Sequence, residues 1–277
     1  MTYATVMVSL ALDQANEARL EAAGEIAERF ESGIVGIALA QFSPPLHYSL
    51  GEQAQNLIEQ GEAAIKKRIS ELEVQFREAT KNRAGHVEWR SAIDFPARYI
   101  VQEARCADIV VSGGQGKNFS DPFALASPKD LVMQAGRPLF IAPDNVSWLD
   151  LRSVLVAWKD TLEARRAIAD SLPMLRKAKE VTVAEVVETG DSRPAAVSRV
   201  RDVVAWLSRH GVSASELVPE RSGDVIAQLD GVAADVAAGV VVAGAYGHSR
   251  FRELILGGMT EHLITQSKRC VLLSHWM

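Results

Sequence analysis

Four glycines in the segment GAYGHSRFRELILGGMTEHL (residues 244–263) have a spacing that could serve phosphate binding. Gly244 and Gly247 are separated by two residues, Gly247 and Gly257 by nine, and Gly258 follows directly. A glycine lets the backbone approach a ligand closely because it has no Cβ. Unpaired N–H groups at the start of a helix attract anions. The segment therefore predicts either a phosphate-binding loop or a tight turn between a strand and a helix.

The elements around this segment alternate between strand and helix. In the C-terminal half, short apolar or β-branched runs predict strands at 154–157, 181–187, 214–218, 240–243 and 270–274. Apolar residues at helical spacing predict helices at 161–177, 195–209, 224–237 and 260–266. Such alternation indicates a parallel sheet with helices on both faces. Ligands of such sheets bind beyond the carboxyl ends of the strands, where the strand order reverses.

The chain also repeats itself. Residues 107–143 align without a gap with residues 238–274, at an offset of 131, so that Gly113 matches Gly244. The first strands and helices of the two halves match at an offset of about 148. We therefore predict two α/β domains, 1–146 and 147–277, each with about five strands in a parallel sheet and helices on both faces.

The glycine spacing resembles a known signature. G-x2-G-x9-G, after a strand and before a helix and a final apolar strand, is similar to the nucleotide-binding motif of the universal stress proteins. The resemblance covers the whole chain, once in each half, and so suggests the tandem, two-domain type. It implies that each half is a Rossmann-like domain with a five-stranded, mostly parallel sheet and helices on both faces. It also implies that the two halves form an intramolecular pseudo-dimer, and it leaves open whether two chains associate as a homodimer.

The resemblance implies a set of nucleotide-binding residues in the C-terminal half. In the family the three glycines line the ribose and phosphates, and the next residues begin the helix beside the phosphates. An aspartate at the end of the first strand holds the adenine or ribose, but here that position is Lys159, and Asp160 comes one residue late. Trp158 and Lys159 could block the adenine position, or Lys159 could contact a phosphate. The expected residues are Gly244, Gly247, Gly257, Gly258, Met259, Thr260, Lys159 and Asp160.

The N-terminal half keeps less of this motif. Gly113 and Gly116 are present, Ala126 replaces the third glycine, and Ser127 takes the hydroxyl position. Pro128 follows, and proline has no N–H to offer to a phosphate. Ser127-Pro128 is instead typical of an ordinary helix start, with serine as the N-cap and proline as the first helical residue. We therefore expect a degenerate site here.

Other chemistries find little support in the sequence. The net charge of −5 does not favour a nucleic-acid partner. There is no predicted membrane span or signal peptide, and the two cysteines, Cys106 and Cys270, are expected to be buried fillers in a reducing cytoplasm. The histidines and cysteines lack the spacing of a metal site, and His262 is expected to be a surface residue. No phosphate-loop, serine-nucleophile or dinucleotide motif is complete, so no catalytic residue is predicted.

Three functions follow as hypotheses. The first is a cytoplasmic stress-response or regulatory protein that binds ATP or a related adenine nucleotide, with Mg²⁺, in its C-terminal half. The second is a scaffold that binds no nucleotide and docks a protein partner. The third is slow ATP hydrolysis, for which Asp160 is the only weak candidate as a base or Mg²⁺ ligand.

Overall fold

The computed structural model describes residues 2–42, 52–114, 123, 125–188, 190–220, 222–246 and 258–276. The elements of the N-terminal half are β1 (Thr5–Leu10), α1 (Glu17–Phe30), β2 (Gly33–Leu39), α2 (Glu52–Thr80), β3 (Val87–Ala92), α3 (Pro96–Glu103), a 3-10 turn (Ala104–Cys106), β4 (Ile109–Gly113), α4 (Pro128–Gln134) and β5 (Leu139–Ala142). Those of the C-terminal half are β6 (Ser153–Ala157), α5 (Leu162–Lys177), β7 (Glu180–Ala184), α6 (Arg193–Arg209), β8 (Ser215–Leu217), α7 (Val225–Asp235), β9 (Val240–Gly244), α8 (Gly258–Thr265) and β10 (Cys270–Ser274).

The strands of the two halves join into one continuous sheet. Its order is β3-β2-β1-β4-β5-β10-β9-β6-β7-β8. Neighbouring strands are parallel within each half, whereas β5 and β10 pair antiparallel at the centre, with Phe140 opposite Leu272. Since β10 is the repeat of β5, this pairing relates the halves by a pseudo-twofold axis. The α/β class and the mostly parallel sheet are confirmed, and the two predicted sheets are joined edge to edge.

Helices cover both faces of this sheet. Along β1, Val6 and Val8 contribute to one apolar core and Met7 to the other, because successive strand residues point to opposite faces. Helices α1, α2, α5 and α6 cover the first face, and α3, α4, α7 and α8 cover the second. On α2, Leu72 and Phe76 are fully buried, as their helical spacing predicts.

Hydrogen bonds also join the two halves on the face of the sheet that α1 and α5 cover. The carboxylate of Glu25 in α1 accepts a hydrogen bond from the Leu149 N–H at 3.1 Å, and Arg29 donates to the Leu149 carbonyl at 2.8 Å. The Tyr3 hydroxyl donates to the Asp170 carbonyl of α5 at 2.8 Å. These bonds hold the connection between β5 and β6 against α1, and the segment before β1 against α5.

Candidate functional site

A cavity of about 290 Å³ lies at the carboxyl ends of the C-terminal strands. The strand order reverses between β6 and β9, where a doubly wound sheet leaves a crevice for a ligand. We call this space the switch-point cavity. Its lining residues come from the ends of β6, β7 and β9 and from the first turns of α5, α7 and α8, and the ones used below are Trp158, Lys159, Ala164, Glu185, Glu188, Asp191, Gly244, Gly258, Met259 and Thr260.

Gly244 forms the part of the wall where β9 meets α5. A Cβ at this position would lie 2.5 Å from the Ala164 nitrogen and 2.6 Å from the Glu163 carbonyl carbon. Both are backbone atoms, which cannot turn aside as a flexible side chain can. Glycine is therefore needed here because α5 lies very close to the strand. This close approach also brings the start of α5 into the wall of the cavity.

The start of α8 supplies three further residues of the wall. Gly258 and Met259 open the helix, and Thr260 is 5% exposed. The Thr260 hydroxyl oxygen accepts a hydrogen bond from the Tyr246 N–H at 3.2 Å, which ties α8 to the end of β9. Among the described residues, a Cβ on Gly258 would meet only the Ile226 Cδ1, at 3.6 Å. The first residues of α8 thus border the cavity.

Lys159 and Asp160 behave differently from each other. The Lys159 ammonium pairs with the Glu188 carboxylate at 2.6 Å, at the mouth of the cavity. Asp160 pairs with Arg165 at 2.6 Å and lines a neighbouring cavity, while the switch-point cavity is bordered by the residues on either side of it. The structure therefore brings Lys159 to the predicted site and leaves Asp160 outside its wall.

Two acidic residues at the end of β7 and beyond it also lie in the wall. Glu185 is only 4% exposed and hydrogen-bonds to the guanidinium of Arg199 in α6 through both carboxylate oxygens. These bonds raise the pKa of Arg199 above its ordinary value. Nothing in the sequence near Glu185 and Glu188 indicates a partner for either residue. Their partners are Arg199 and Lys159, which are 14 and 29 positions away.

Trp158 is a buried wall of the cavity. Its exposed fraction is 8%, and its backbone N–H donates to the Ala184 carbonyl at 2.8 Å. The indole N–H is buried and has no hydrogen-bond acceptor among the residues that the structure describes. The tryptophan side chain is therefore part of the wall of the cavity.

The corresponding place in the N-terminal half is filled by an arginine. Helix α1 begins at Glu17 and α5 at Leu162, an offset of 145, so Arg19 corresponds to Ala164. Arg19 is 2% exposed, and a Cβ on Gly113 would collide with its guanidinium, whose Nη2 would be 2.1 Å away. The guanidinium donates to the Ser9 carbonyl at 3.4 Å and to the Gln14 side chain at 3.3 Å. Burial lowers the pKa of Arg19 below its ordinary value.

The other N-terminal residues of the degenerate motif form an ordinary helix start. Ser127 is the N-cap of α4, and its hydroxyl accepts a hydrogen bond from the Lys129 N–H at 3.3 Å. Pro128 is the first residue of the helix, and Ala126 is 2% exposed within the apolar core. This half therefore shows the cap that the sequence predicted. Gly116, Gly247 and Gly257 lie outside the described residues.

Two minor predictions need correction. Cys106 was expected to be buried, but it is exposed at the end of the 3-10 turn, whereas Cys270 is fully buried as predicted. The apolar residues that continue into the strand β4 begin after Cys106, so this cysteine is not part of that run. The His262 side chain is 14% exposed and its Nε2 lies 2.8 Å from a carboxylate oxygen of Asp230, so this residue joins α8 to α7. Its helix was correctly expected, but its contact required the tertiary packing of two helices.

The described residues contain neither a candidate metal site nor a candidate membrane span. In the described ranges, no group of three or more His, Cys, Asp or Glu side chains is placed to hold a metal ion. None of the helices there combines the length and the apolar character needed to cross a bilayer.

Comparison with solved structures shows the same architecture along the whole chain. A universal stress protein from Archaeoglobus fulgidus DSM 4304 superposes with a TM-score of 0.71 over 98% of this chain and 96% of its own, at 16% sequence identity. The chain has the fold of a tandem universal stress protein. A functionally unknown protein, PA1789 from Pseudomonas aeruginosa PAO1, shares this fold with a TM-score of 0.57 over 99% of this chain and 92% of its own, at 17% identity. No protein-family model matches the chain, and no curated protein sequence matches it.

Within the universal stress protein fold, the two halves of this chain are unequal. The C-terminal half has the switch-point cavity between Gly244 and the start of α8. In the N-terminal half the buried Arg19 side chain lies against Gly113.

Proposed function

We propose that this protein is a cytoplasmic stress-response or regulatory protein that binds ATP or a related adenine nucleotide in the switch-point cavity. The observation that carries the proposal is the open start of α8, at Gly258, beside a cavity at the strand-order reversal. The fold shared with universal stress proteins supports it. The domain spanning 147–277 would bind the nucleotide, and the domain spanning 1–146 would serve as its structural partner in the pseudo-dimer.

The phosphates would face α8. The first N–H groups of a helix have no partner within the helix, and the helix dipole places partial positive charge there. Gly258 and Met259 offer such groups, and the absence of a side chain on Gly258 leaves the approach open. These donors need no lysine to attract an anion, so the Lys159–Glu188 pair is compatible with phosphate binding.

The nucleoside would face the acidic side of the cavity. Glu188 and Asp191 lie after the end of β7 and line the cavity. Carboxylates repel phosphates but accept hydrogen bonds from ribose hydroxyls and from the adenine amino group. They would therefore replace the aspartate that Lys159 displaces, and the charge distribution would fix the orientation of the nucleotide.

We propose binding without efficient hydrolysis. Asp160, the one candidate base, is paired with Arg165 and lines the neighbouring cavity. Mg²⁺ would enter with ATP, and phosphate oxygens and water would supply most of its ligands, as is usual for this ion. A nucleotide-dependent change in the protein, with little turnover, is the behaviour expected of a regulatory binding domain.

Calorimetric titration of MgATP into the purified protein tests this proposal. Wild-type protein should bind one nucleotide for each chain. Gly258→Asp should weaken MgATP at least tenfold, because a carboxylate would face the phosphates at the start of α8. The same change should leave the helix intact, since an acidic residue in the first turn stabilises a helix. Adenosine, which has no phosphate, should bind the wild type and the variant equally.

Gly258→Ser provides the opposite test. Its Cβ fits, because the nearest atom would be 3.6 Å away, and its hydroxyl would give one more donor to the phosphates. A hydrogen bond to a charged group contributes about 1.5–3 kcal/mol, so the affinity should rise by roughly tenfold or more. Absence of heat and of a thermal shift at millimolar MgATP would overturn the proposal and favour the scaffold hypothesis.

A further inference from the structure

A second cavity lies beside the first and is unexplained by nucleotide binding. Its volume is about 480 Å³, and it opens between α5 and α6. We call it the α5–α6 cavity. Trp158 lines both cavities and so forms the wall between them. The volume lies within the roughly 300–1,000 Å³ that small-molecule sites occupy.

The floor of the α5–α6 cavity is aromatic and aliphatic. Trp158 and Ile168 are 8% and 3% exposed, and Val203 and Trp206 are half-buried. Val203 and Trp206 project from one face of α6, because residues three and four positions apart are neighbours on a helix. Two indole rings and two branched side chains thus offer a floor on which a flat apolar group can pack.

The rim of this cavity is rich in arginine. Arg165 and Arg199 are engaged by Asp160 and Glu185, respectively. Arg209, in the last turn of α6, is exposed and has no hydrogen bond or ion pair with any described residue. A guanidinium presents donors in a planar fork that matches a carboxylate.

We infer that the α5–α6 cavity binds a planar aromatic ring that bears a carboxylate. The ring would pack on the floor formed by Trp158 and Trp206, and the carboxylate would pair with Arg209. A polyphosphate is disfavoured, because the carboxylates of Asp160 and Asp202 also lie on the rim. The inference does not depend on the proposed nucleotide site, since it concerns other residues.

The class of ligand follows from combining these two features. A neutral ring would use the floor alone, and a small aliphatic anion would use Arg209 alone, exposed to water. Offset aromatic pairs contribute about 0.5–1.5 kcal/mol beyond the area that they bury. Charge-assisted hydrogen bonds to an arginine are roughly twice as strong as neutral ones. An aromatic carboxylate uses both contributions at once.

Calorimetric titration with indole-3-acetate tests the inference, with neutral indole as the comparison. Indole-3-acetate should bind at micromolar to submillimolar concentration, and indole at least tenfold more weakly. Arg209→Gln should weaken indole-3-acetate at least tenfold and leave indole unchanged. Arg201→Gln is the matched control: it removes the same charge from the same helix, but Arg201 pairs with Glu216 and does not line the cavity, so affinity should stay within twofold.

The decisive outcomes are these. Equal binding of indole and indole-3-acetate, or equal effects of Arg209→Gln and Arg201→Gln, would overturn the inference. Undetectable binding of indole-3-acetate at millimolar concentration would also overturn it. Displacement of indole-3-acetate by adenosine would place the ligand in the switch-point cavity and refute the second site. Circular dichroism of the two variants, whose altered side chains are exposed, should match the wild type.

Discussion

Gly244 and Gly258 line the same cavity, yet the structure predicts opposite responses when either is replaced by alanine. At Gly244 the new Cβ would lie 2.5 Å from the Ala164 nitrogen, 2.6 Å from the Glu163 carbonyl carbon and 2.9 Å from the Glu163 Cβ. At Gly258 it would lie 3.6 Å from the Ile226 Cδ1, which is an ordinary van der Waals contact. The same methyl group is added in both variants, so the space available at each position is the main difference between them.

The magnitudes follow from these distances. To relieve the contacts at Gly244, the first turn of α5 must move away from β9 by nearly 1 Å, and overpacking of this kind costs about 1–3 kcal/mol or more. Gly258→Ala should be neutral or should stabilise by up to about 1 kcal/mol, because alanine favours the helix and restricts the unfolded chain. The two variants should therefore differ by about 1–4 kcal/mol in their free energy of unfolding.

Urea denaturation followed by circular dichroism measures this difference. Gly244→Ala should unfold at a lower urea midpoint than the wild type, and Gly258→Ala at the same midpoint or a higher one. Equal midpoints for Gly244→Ala and the wild type would refute the reasoning, since the strand and helix would then have room that the structure denies them. A larger loss for Gly258→Ala than for Gly244→Ala would refute it as well.

Three further outcomes are expected. Arg19→Met should raise the free energy of unfolding by about 1–3 kcal/mol in urea denaturation, because it removes a buried cation that forms no ion pair with a described carboxylate, and a clear loss of stability would contradict this. A thiol reagent should modify only Cys106 in the folded protein and both cysteines in urea. Burial raises the pKa of Cys270 to about 12 from its ordinary 9.0, so above about pH 9 the thiol ionises in the unfolded chain before it ionises in the folded one. The free energy of unfolding should therefore fall as the pH rises above about 9, and Cys270→Ala should lessen that fall. Lys159→Gln should change the urea-measured free energy of unfolding by less than about 1 kcal/mol, because its pair with Glu188 is exposed, and a larger change would show a structural role for the pair.

The sequence predicted the repeated α/β architecture because the relevant signals are local. Strands such as 240–243 and 270–274 are short apolar runs, and the stripe that includes Leu72 and Phe76 has helical spacing. Both patterns follow from the backbone geometry of single elements. The Ser127-Pro128 helix start is local too, and the structure shows it as the cap of α4.

Two contacts at the candidate sites could not be predicted in this way. The connection between β1 and α1 has six residues, 11–16, whereas its C-terminal counterpart has four, 158–161, and counting from the helix starts places Arg19 at the position of Ala164. Sequence alignment at a constant offset hides this shift. In the C-terminal half, Glu185 meets Arg199 only because α6 packs beside the end of β7.

The sequence by itself therefore determined the order and type of the elements, the internal repeat and the position of the glycine motif. Tertiary structure decided that β5 and β10 join the halves into one sheet, that Gly244 packs against the backbone of α5, and that the switch-point cavity is open in one half while Arg19 fills its counterpart. The physical reason is that propensity and periodicity act over a few neighbouring residues. A cavity depends on the distances between side chains that are far apart in the chain, and only the packing of the elements sets those distances.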